Sequence, residues 1–391
     1  MIDPRTLRGT WNYPTRILFG AGRIAELADA CRALGVHHPL LVTDPGLARL
    51  AMIKDAIAAN AKAGLETGLF SDLKPNPVGK NVEDGVAAYG HGRHDGVIAF
   101  GGGSALDTGK AIAFMAGQKR PIWDFEDVGD NWTRADAAAI APVVAVPTTA
   151  GTGSEVGRVS VIIDASLHKK VLIFHPRMLP QTVIADPALT VGLPRHVTAA
   201  TGMDALAHNL EAYCSPAFHP LADGIALEAM RMIREWLPVA VRDGANLAAR
   251  AHMLAAATMG ATAFQKGLGA IHSMSHPVGA LYDTHHGLTN AVVMPYVLAF
   301  NRRAIEDRIA RLAAYIGLGP ASFQGFLDWV LALRREIGIP HTLADLGVGA
   351  DRLDELARMA TEDPSAATNP LPLGVAEHMR LFRDSVAGRI A

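Results

Sequence analysis

The sequence predicts an α/β domain built on a doubly wound, mostly parallel sheet, followed by an all-helical domain. In the first half, short β-branched and leucine-rich runs alternate with amphipathic helical stretches, the pattern of parallel strands joined by crossover helices. From about Pro187 the strand-like runs stop, and long Ala-, Leu- and Met-rich helical patterns take over. The change lies between Asp186 and Leu193, so the expected domains are residues 1–188 and 189–391. A chain of 391 residues is too long for one ordinary core, which agrees with two domains.

Taken in order, TRILF at 15–19 reads as a strand, ended by Gly-Ala-Gly before an amphipathic helix over 23–34. PLLVTD at 39–44 is a second strand that ends in an acid, and the Pro-Gly pair after it signals a turn into a helix running to Ala59. A short strand in TGLFSD, a loop at 74–77, a helix over 82–89 and a strand in DGVIAF continue the alternation. PVVAV adds a strand, RVSVIID and KVLIF form a hairpin, and TVIADP returns to the sheet. Beyond the boundary, helices are expected over 194–213, with proline at the start, and over 222–235, 247–264 and 287–301, with more polar helices after them.

Sheets of this type bind ligands beyond the carboxyl ends of their strands. One such end carries FGGGSALDTGK, in which Gly102, Gly103 and Ser104 follow a buried strand and open a helix. Backbone without side chains, next to free helical amides, makes an anion site suited to a pyrophosphate. Ser104 is placed to cap that helix, and Asp107 lies in its first turn. A second end carries PTTAGTGSE, where Thr148, Thr149 and Thr152 can donate to phosphate or ribose. Asp44, at the end of its strand, can accept from an adenosine ribose diol and would repel a 2'-phosphate, which favours NAD over NADP.

In the helical half, GLGAIHSMSHPVGALYDTHHG at 267–287 gathers four histidines. His272 and His276 are four apart and share one helix face. Asp204 and His208, in TGMDALAHNLEAY, repeat that geometry. Two such pairs from separate helices, joined by His286 or His285 from the following loop, can converge on one divalent cation. An Asp with three His suits Fe(II) or Zn(II) and does not suit Mg(II) or Ca(II). Buried imidazoles and carboxylates need partners, and a shared cation supplies one for all of them.

Composition narrows the function classes. Charged residues make up 19%, hydrophobic residues 50%, and the formal net charge is -2, so no basic stripe points to nucleic acid or to an anionic membrane surface. The only cysteines, Cys31 and Cys214, lie far apart and outside any CxxC, which argues against a disulfide framework and for a reducing cytoplasm. The N-terminal stretch lacks an apolar signal core, and no run approaches the length needed to span a bilayer.

Taken together and in this order, WNYPTRILFGAG, KPNP, GGGSALDTGK, PTTAGTGSE, TGMDALAHNLEAY and HSMSHPVGALYDTHHG resemble the iron-containing, or group III, alcohol dehydrogenases. The likeness covers nearly the whole chain, with glycerol dehydrogenases and dehydroquinate synthases as more distant relations. It implies a dehydroquinate synthase-like architecture, with a Rossmann-like cofactor domain and an all-α metal domain. It implies metal ligands at Asp204, His208, His272 and His286, with His285 a neighbour that does not bind. It puts His276 beside the nicotinamide rather than on the metal. Gly102, Gly103 and Ser104 match the family's cofactor loop, Asp44 its ribose acid, Thr148, Thr149 and Thr152 its second turn, and Lys170 its ribose-contacting lysine. It further implies homodimers with the segment near 11–19 at the interface.

The expected activity is metal-dependent, NAD(H)-linked interconversion of small alcohols and aldehydes. A divalent metal lowers the pKa of an alcohol hydroxyl and holds the alkoxide, which releases hydride to nicotinamide C4. His276 is the candidate group nearest the reacting centre, in proton relay or substrate orientation. Fe(II) accepts five ligands readily; Zn(II) prefers four but is favoured by the ordinary order of affinities. The rival reading is a metal-dependent lyase or hydrolase of the same superfamily, acting on a phosphorylated or polyol substrate.

Overall fold

The computed structural model describes residues 15–167 and 169–390. These residues fall into two compact units, 15–149 with 153–192, and 150–152 with 193–390. The main passage from the first unit to the second falls between Gly192 and Leu193, after a short helical turn that Asp186 caps by accepting from the Ala188 amide.

The strands of the first unit are β1 (Arg16–Phe19), β2 (Pro39–Val42), β3 (Gly68–Phe70), β4 (Gly96–Gly101), β5 (Val143–Pro147), β6 (Val159–Asp164), β7 (Lys169–Phe174) and β8 (Thr182–Ala185). Six form a parallel sheet in the order β1-β8-β5-β4-β2-β3, while β6 and β7 make the expected antiparallel hairpin. Residues of β2, β4, β5 and β8 are fully buried, as strands covered on both faces must be, and this is why they read as unbroken apolar runs. The helices between them are α1 (Leu27–Ala33), α2 (Ala51–Lys62), α3 (Gly79–His91) and α4 (Gly103–Met115). Helix α3 starts three residues before the apolar periodicity does. The Asn81 side chain accepts from the Val78 amide at 3.0 Å and closes a turn that has no hydrophobic signal.

Strand order decides where a ligand can sit. The chain runs from β2 outward to β3, then returns to the other side of β2 to form β4 and continues to β5. The order therefore reverses between β2 and β4, the position at which doubly wound sheets open a crevice at their carboxyl ends. Asp44 and the glycines 101–103 follow those two strands.

The second unit is helical: α5 (Arg195–Cys214), α6 (Pro220–Arg242), α7 (Leu247–Ala263), α8 (Ala270–Tyr282), α9 (His286–Tyr315), α10 (Phe323–Ile337), α11 (Leu353–Glu362) and α12 (Val375–Ala387). Two helices outrun their sequence expectation: α6 runs on past Pro238 to Arg242, and α9 runs past Asn301 to Tyr315. Pro238 in α6 and Pro295 in α9 each remove one backbone donor, and the buried apolar faces on both sides of the proline keep the helix in the core. Helix α5 lies at the centre of this unit and is buried from Thr198 to Cys214. Among the described residues, no helix is long and apolar enough to cross a membrane. The segment 11–19 is described only from Thr15; Trp11 lies outside the described residues.

Candidate active site and metal centre

At the switch point, three strand ends meet. The Thr148 amide donates to the Gly101 carbonyl at 3.0 Å, and the Asp44 Oδ1 accepts from the amides of Gly46 and Leu47, both at 2.9 Å. Asp44 Oδ2 lies 3.7 Å from where a Cβ on Gly101 would stand, so this oxygen faces the glycine turn. Gly101 itself has φ +151, and an added Cβ would come 2.7 Å from the Ala105 Cβ; only glycine lets β4 enter α4 here. Gly102 then passes 3.3 to 3.4 Å, measured to an added Cβ, from the Thr149 side chain. The amides at the start of α4 have no side-chain cap, which leaves them available to an anion.

Two residues in this region act differently from expectation. Ser104 does not cap α4, whose N-cap is Gly102; its hydroxyl donates to the Pro75 carbonyl and ties down the KPNP loop. Asp107 faces inward. It accepts from Ser154 Oγ at 2.5 Å and from the Val161 amide at 3.0 Å, and Lys110 Nζ is 3.2 Å away, so the carboxylate braces the second turn and the hairpin from within. Thr148 is buried, Thr149 and Thr152 are partly exposed, and Lys170 is partly exposed on β7, opposite Ile163.

In the helical unit, one ligand atom each from Asp204, His208, His272 and His286 lies within 4.8 Å of the others. Asp204 and His208 share a face of α5, His272 comes from the first turn of α8, and His286 opens α9. Asp204 Oδ1 is 3.6 Å from His286 Nε2 and 4.0 Å from His208 Nε2. The His208 and His272 rings stack at 4.6 Å. Gly287 makes this convergence feasible: a Cβ there would stand 2.5 Å from the Ala200 carbonyl and 2.9 Å from the Asp204 Cβ, so any larger residue would push α9 off α5. His285 stays outside the set and caps α9 by accepting from the Leu288 amide at 3.4 Å.

Two of the three imidazoles have a side chain behind them. His272 Nδ1 is 2.5 Å from Glu211 Oε2, and His286 Nδ1 is 3.3 Å from Ser275 Oγ. His276 is not among the four, but its ring stacks on His286 at 5.4 Å, and its Nδ1 is 2.7 Å from Asp363 Oδ2. Asn290 donates from Nδ2 to Asp204 Oδ1 at 2.8 Å, and the same nitrogen lies 3.1 Å from His286 Nε2 and 3.3 Å from His272 Nε2. A carboxylate only accepts, so the amide must turn its nitrogen to these atoms, and its second N–H is left to face the two imidazole Nε2 atoms.

The electrostatics separate these groups. Burial drives the His208 pKa down to about 4; the Asp204 carboxylate opposes this without overcoming it, so the ring is neutral across the physiological range. Burial also works to lower His272, but the surrounding carboxylates, Glu211 first and then Asp204 and Asp363, together raise the ring's affinity for protons. Asp363 is the reverse case: burial favours its neutral form, and His276 beside it holds it below the usual carboxylate range. Three imidazole nitrogens and one carboxylate oxygen, converging in a largely buried place, form a donor set that fits a divalent transition metal.

The chain matches the family model described as iron-containing alcohol dehydrogenase over residues 14–187, and its C-terminal counterpart over residues 198–386. The chain belongs to the iron-containing alcohol dehydrogenase family. It is 40% identical to the 4-hydroxybutyrate dehydrogenase of Cupriavidus necator, over 96% of this chain and 99% of that one. The crystal structure of a 1,3-propanediol oxidoreductase superposes with a TM-score of 0.91 at 35% identity, covering 96% of this chain and all of that one. The sulfoacetaldehyde reductase of Bifidobacterium kashiwanohense, solved with NAD+, superposes at 0.88 with 29% identity, covering 98% and 100%.

This alcohol dehydrogenase is therefore an NAD-linked oxidoreductase of alcohols and aldehydes, and the lyase reading falls away. Membership of the family implies a metal and NAD. The motif reading missed three polar residues at the centre. Glu211 sits three residues after His208 on the same helical face, a spacing that could have flagged it. Asn290 follows His286 by four and carried the same signal. Asp363 had none, because it lies 87 residues from His276, in the part of the chain where only polar helices were expected.

Proposed function

We propose that Asp204, His208, His272 and His286 hold one Fe(II), with Zn(II) as the competing ion, and that this centre serves hydride exchange between a small alcohol or aldehyde and NAD. The observation that carries the reading is the convergence of the four ligand atoms within 4.8 Å. The cation, when bound, makes an alcohol hydroxyl acidic enough to ionise near neutral pH, and NAD takes or returns the hydride. Asp204 sets the charge of the site, since three neutral imidazoles leave a divalent ion with a net +1. His276 orients the substrate oxygen or relays its proton through Nε2, while Asp363 holds the opposite nitrogen as Nδ1–H.

On the sheet, the free amides at Gly103 and Ser104 receive the pyrophosphate, with Gly102 leaving room for it. Asp44 Oδ2 accepts from the adenosine ribose, and Thr148, Thr149, Thr152 and Lys170 contribute the remaining polar contacts to the cofactor. Asp107 serves the cofactor loop by positioning it from inside the protein. The substrate class is a short alcohol with a second polar end, a reading supported by the names of the 4-hydroxybutyrate and 1,3-propanediol dehydrogenases to which the chain is similar. A homodimer through the edge of the sheet at β1 is supported by the single pairing of that strand, with β8, among the described residues. Two free, buried cysteines support a cytoplasmic location.

The test is direct. Metal-loaded protein is incubated with NAD and a panel led by 4-hydroxybutyrate and 1,3-propanediol, and with NADH and the matching aldehydes, while NADH absorbance is followed. Turnover that disappears on chelation and returns with Fe(II) or Zn(II) is expected. An inert protein at full metal occupancy, across the whole panel, would overturn the reading.

A further inference from the structure

Resting on that four-ligand reading, we infer that Glu211 is a positioning residue that sets metal affinity, by fixing the ring and the tautomer of His272. Glu211 lies on α5 one turn beyond His208, is buried, and uses both carboxylate oxygens. Oε2 is 2.5 Å from His272 Nδ1, and Oε1 accepts from the Ile271 amide at 2.7 Å. A carboxylate has no proton to give, so the proton between the two residues sits on Nδ1, and the neutral ring must present Nε2 as a lone pair. Asn290 gives the same answer from the other side, since its amide nitrogen stands 3.3 Å from that Nε2.

The carboxylate is itself well held. The first turn of α8 offers unpaired amides and a positive end, and Glu211 answers both at Ile271 while gripping the next side chain along. A negative charge behind the ring raises the basicity of the nitrogen in front, which strengthens it as a metal ligand. His286 lacks this advantage, because its Nδ1 has a neutral hydroxyl at 3.3 Å. Of the two imidazoles with a side chain behind them, His272 is thus the stronger donor, and its strength depends on one residue that touches no substrate.

The experiment measures Zn(II) affinity, by competition with a chromophoric chelator at fixed pH, on chelator-stripped full-length protein. Wild type, Glu211→Gln, Glu211→Asp, Ser275→Ala and Asn369→Ser are compared, with melting temperature recorded for each. Asn369 is the control because its Oδ1 accepts from the Ala270 amide at 3.1 Å, on the same helix end, without touching His272. Glu211→Gln is expected to weaken Zn(II) binding by about 10- to 100-fold, Ser275→Ala by less, and Asn369→Ser to lower the melting temperature with affinity kept. Should the Gln variant fail to fold, the Asp variant decides, with a loss in the same direction. Affinity unchanged in the Glu211 variants, with melting lowered as in Asn369→Ser, would reduce Glu211 to a helix cap and overturn the inference alone. A wild type that binds no Zn(II) would overturn the four-ligand reading as well.

Discussion

His276 Nδ1 lies 2.7 Å from Asp363 Oδ2, joining α8 to the turn after α11 across 87 residues of chain. Asp363 is anchored in turn by the Ser365 amide, which donates to its other oxygen at 2.9 Å. The imidazole is therefore fixed by a carboxylate on one side and rests against the His286 ring on its face. His276→Ala should lower kcat by about 10²- to 10⁴-fold, the usual contribution of a positioned acid or base, with bound metal unchanged. Asp363→Ala should act in the same direction by less, and Asp363→Asn should recover part of the loss because its Oδ1 can still accept from Nδ1–H. Steady-state kinetics with metal analysis on each variant checks this. Full activity in His276→Ala would remove the residue from the chemistry.

Metal binding should also register as stability, because three buried donors and one partly buried one are organised by the folded helices and not by the unfolded chain. At a metal concentration a hundred times Kd, the stabilisation is about 2.7 kcal/mol. For a helical unit of this size that corresponds to a rise in melting temperature of roughly 5–10 °C. Calorimetry of stripped and reloaded protein measures it. His208→Ala should abolish the rise, since the loss of one of four ligands leaves a weak site. Equal melting with and without Fe(II) or Zn(II) in wild type would mean that these donors share no cation.

What the sequence made legible follows from local spacing. Buried parallel strands leave unbroken apolar runs, so β2, β4, β5 and β8 were readable, and the i,i+4 relation of Asp204 to His208 needed only a helix to place both on one face. The same rule misjudged the pair at 272 and 276, because spacing shows a shared face without showing which nitrogen points to a common centre. Ser104 and Asp107 were read as lying in the first turn of α4, by residue type for a cap or a dipole contact, but α4 starts at Gly103 and Asp107 falls beyond that turn. Their hydrogen bonds run to Pro75, Ser154 and Val161, partners 29 to 54 residues away that no local rule reaches. Asp363 is the extreme case, since its role exists only once α8 and the 363–369 turn are packed together.

Asp44 holds a turn and is proposed to read the cofactor, and the variants should separate the two. Its Oδ1 caps the turn after β2 through two amides, while Oδ2 faces the glycine turn. Asp44→Ser keeps a capping oxygen but removes the charge, so it should shift the ratio of NAD to NADP efficiency towards NADP by tenfold or so, about 1.4 kcal/mol, with little change in stability. Asp44→Ala should shift the ratio equally and cost about 1 kcal/mol of stability besides. Paired kinetics with both cofactors, alongside denaturant titration, provides the comparison. A ratio unmoved in both variants would assign Asp44 to the turn alone.

Gly101 offers the sharpest test of the cofactor end, because its constraint is one of backbone and not of chemistry. At φ +151 a side chain is strained whatever the space, and here the Cβ would also meet Ala105 at 2.7 Å. Gly101→Ala should therefore cost about 1–3 kcal/mol. The chain has two ways to relieve the clash: α4 can shift away from β4, or the turn can open. Either one moves the amides of Gly103 and Ser104, and the first also pulls on the Asp107 contacts with Ser154 and Val161. The KM for NAD should rise at least tenfold, while the affinity of the helical unit for Zn(II) stays at the wild-type value, since none of its donors lies near the turn in sequence. Cofactor binding and Zn(II) binding measured on the same preparation separate the effects on the two units. Loss of both together would mean that the substitution unfolds the protein broadly, and normal NAD binding would mean that the turn is not the pyrophosphate site.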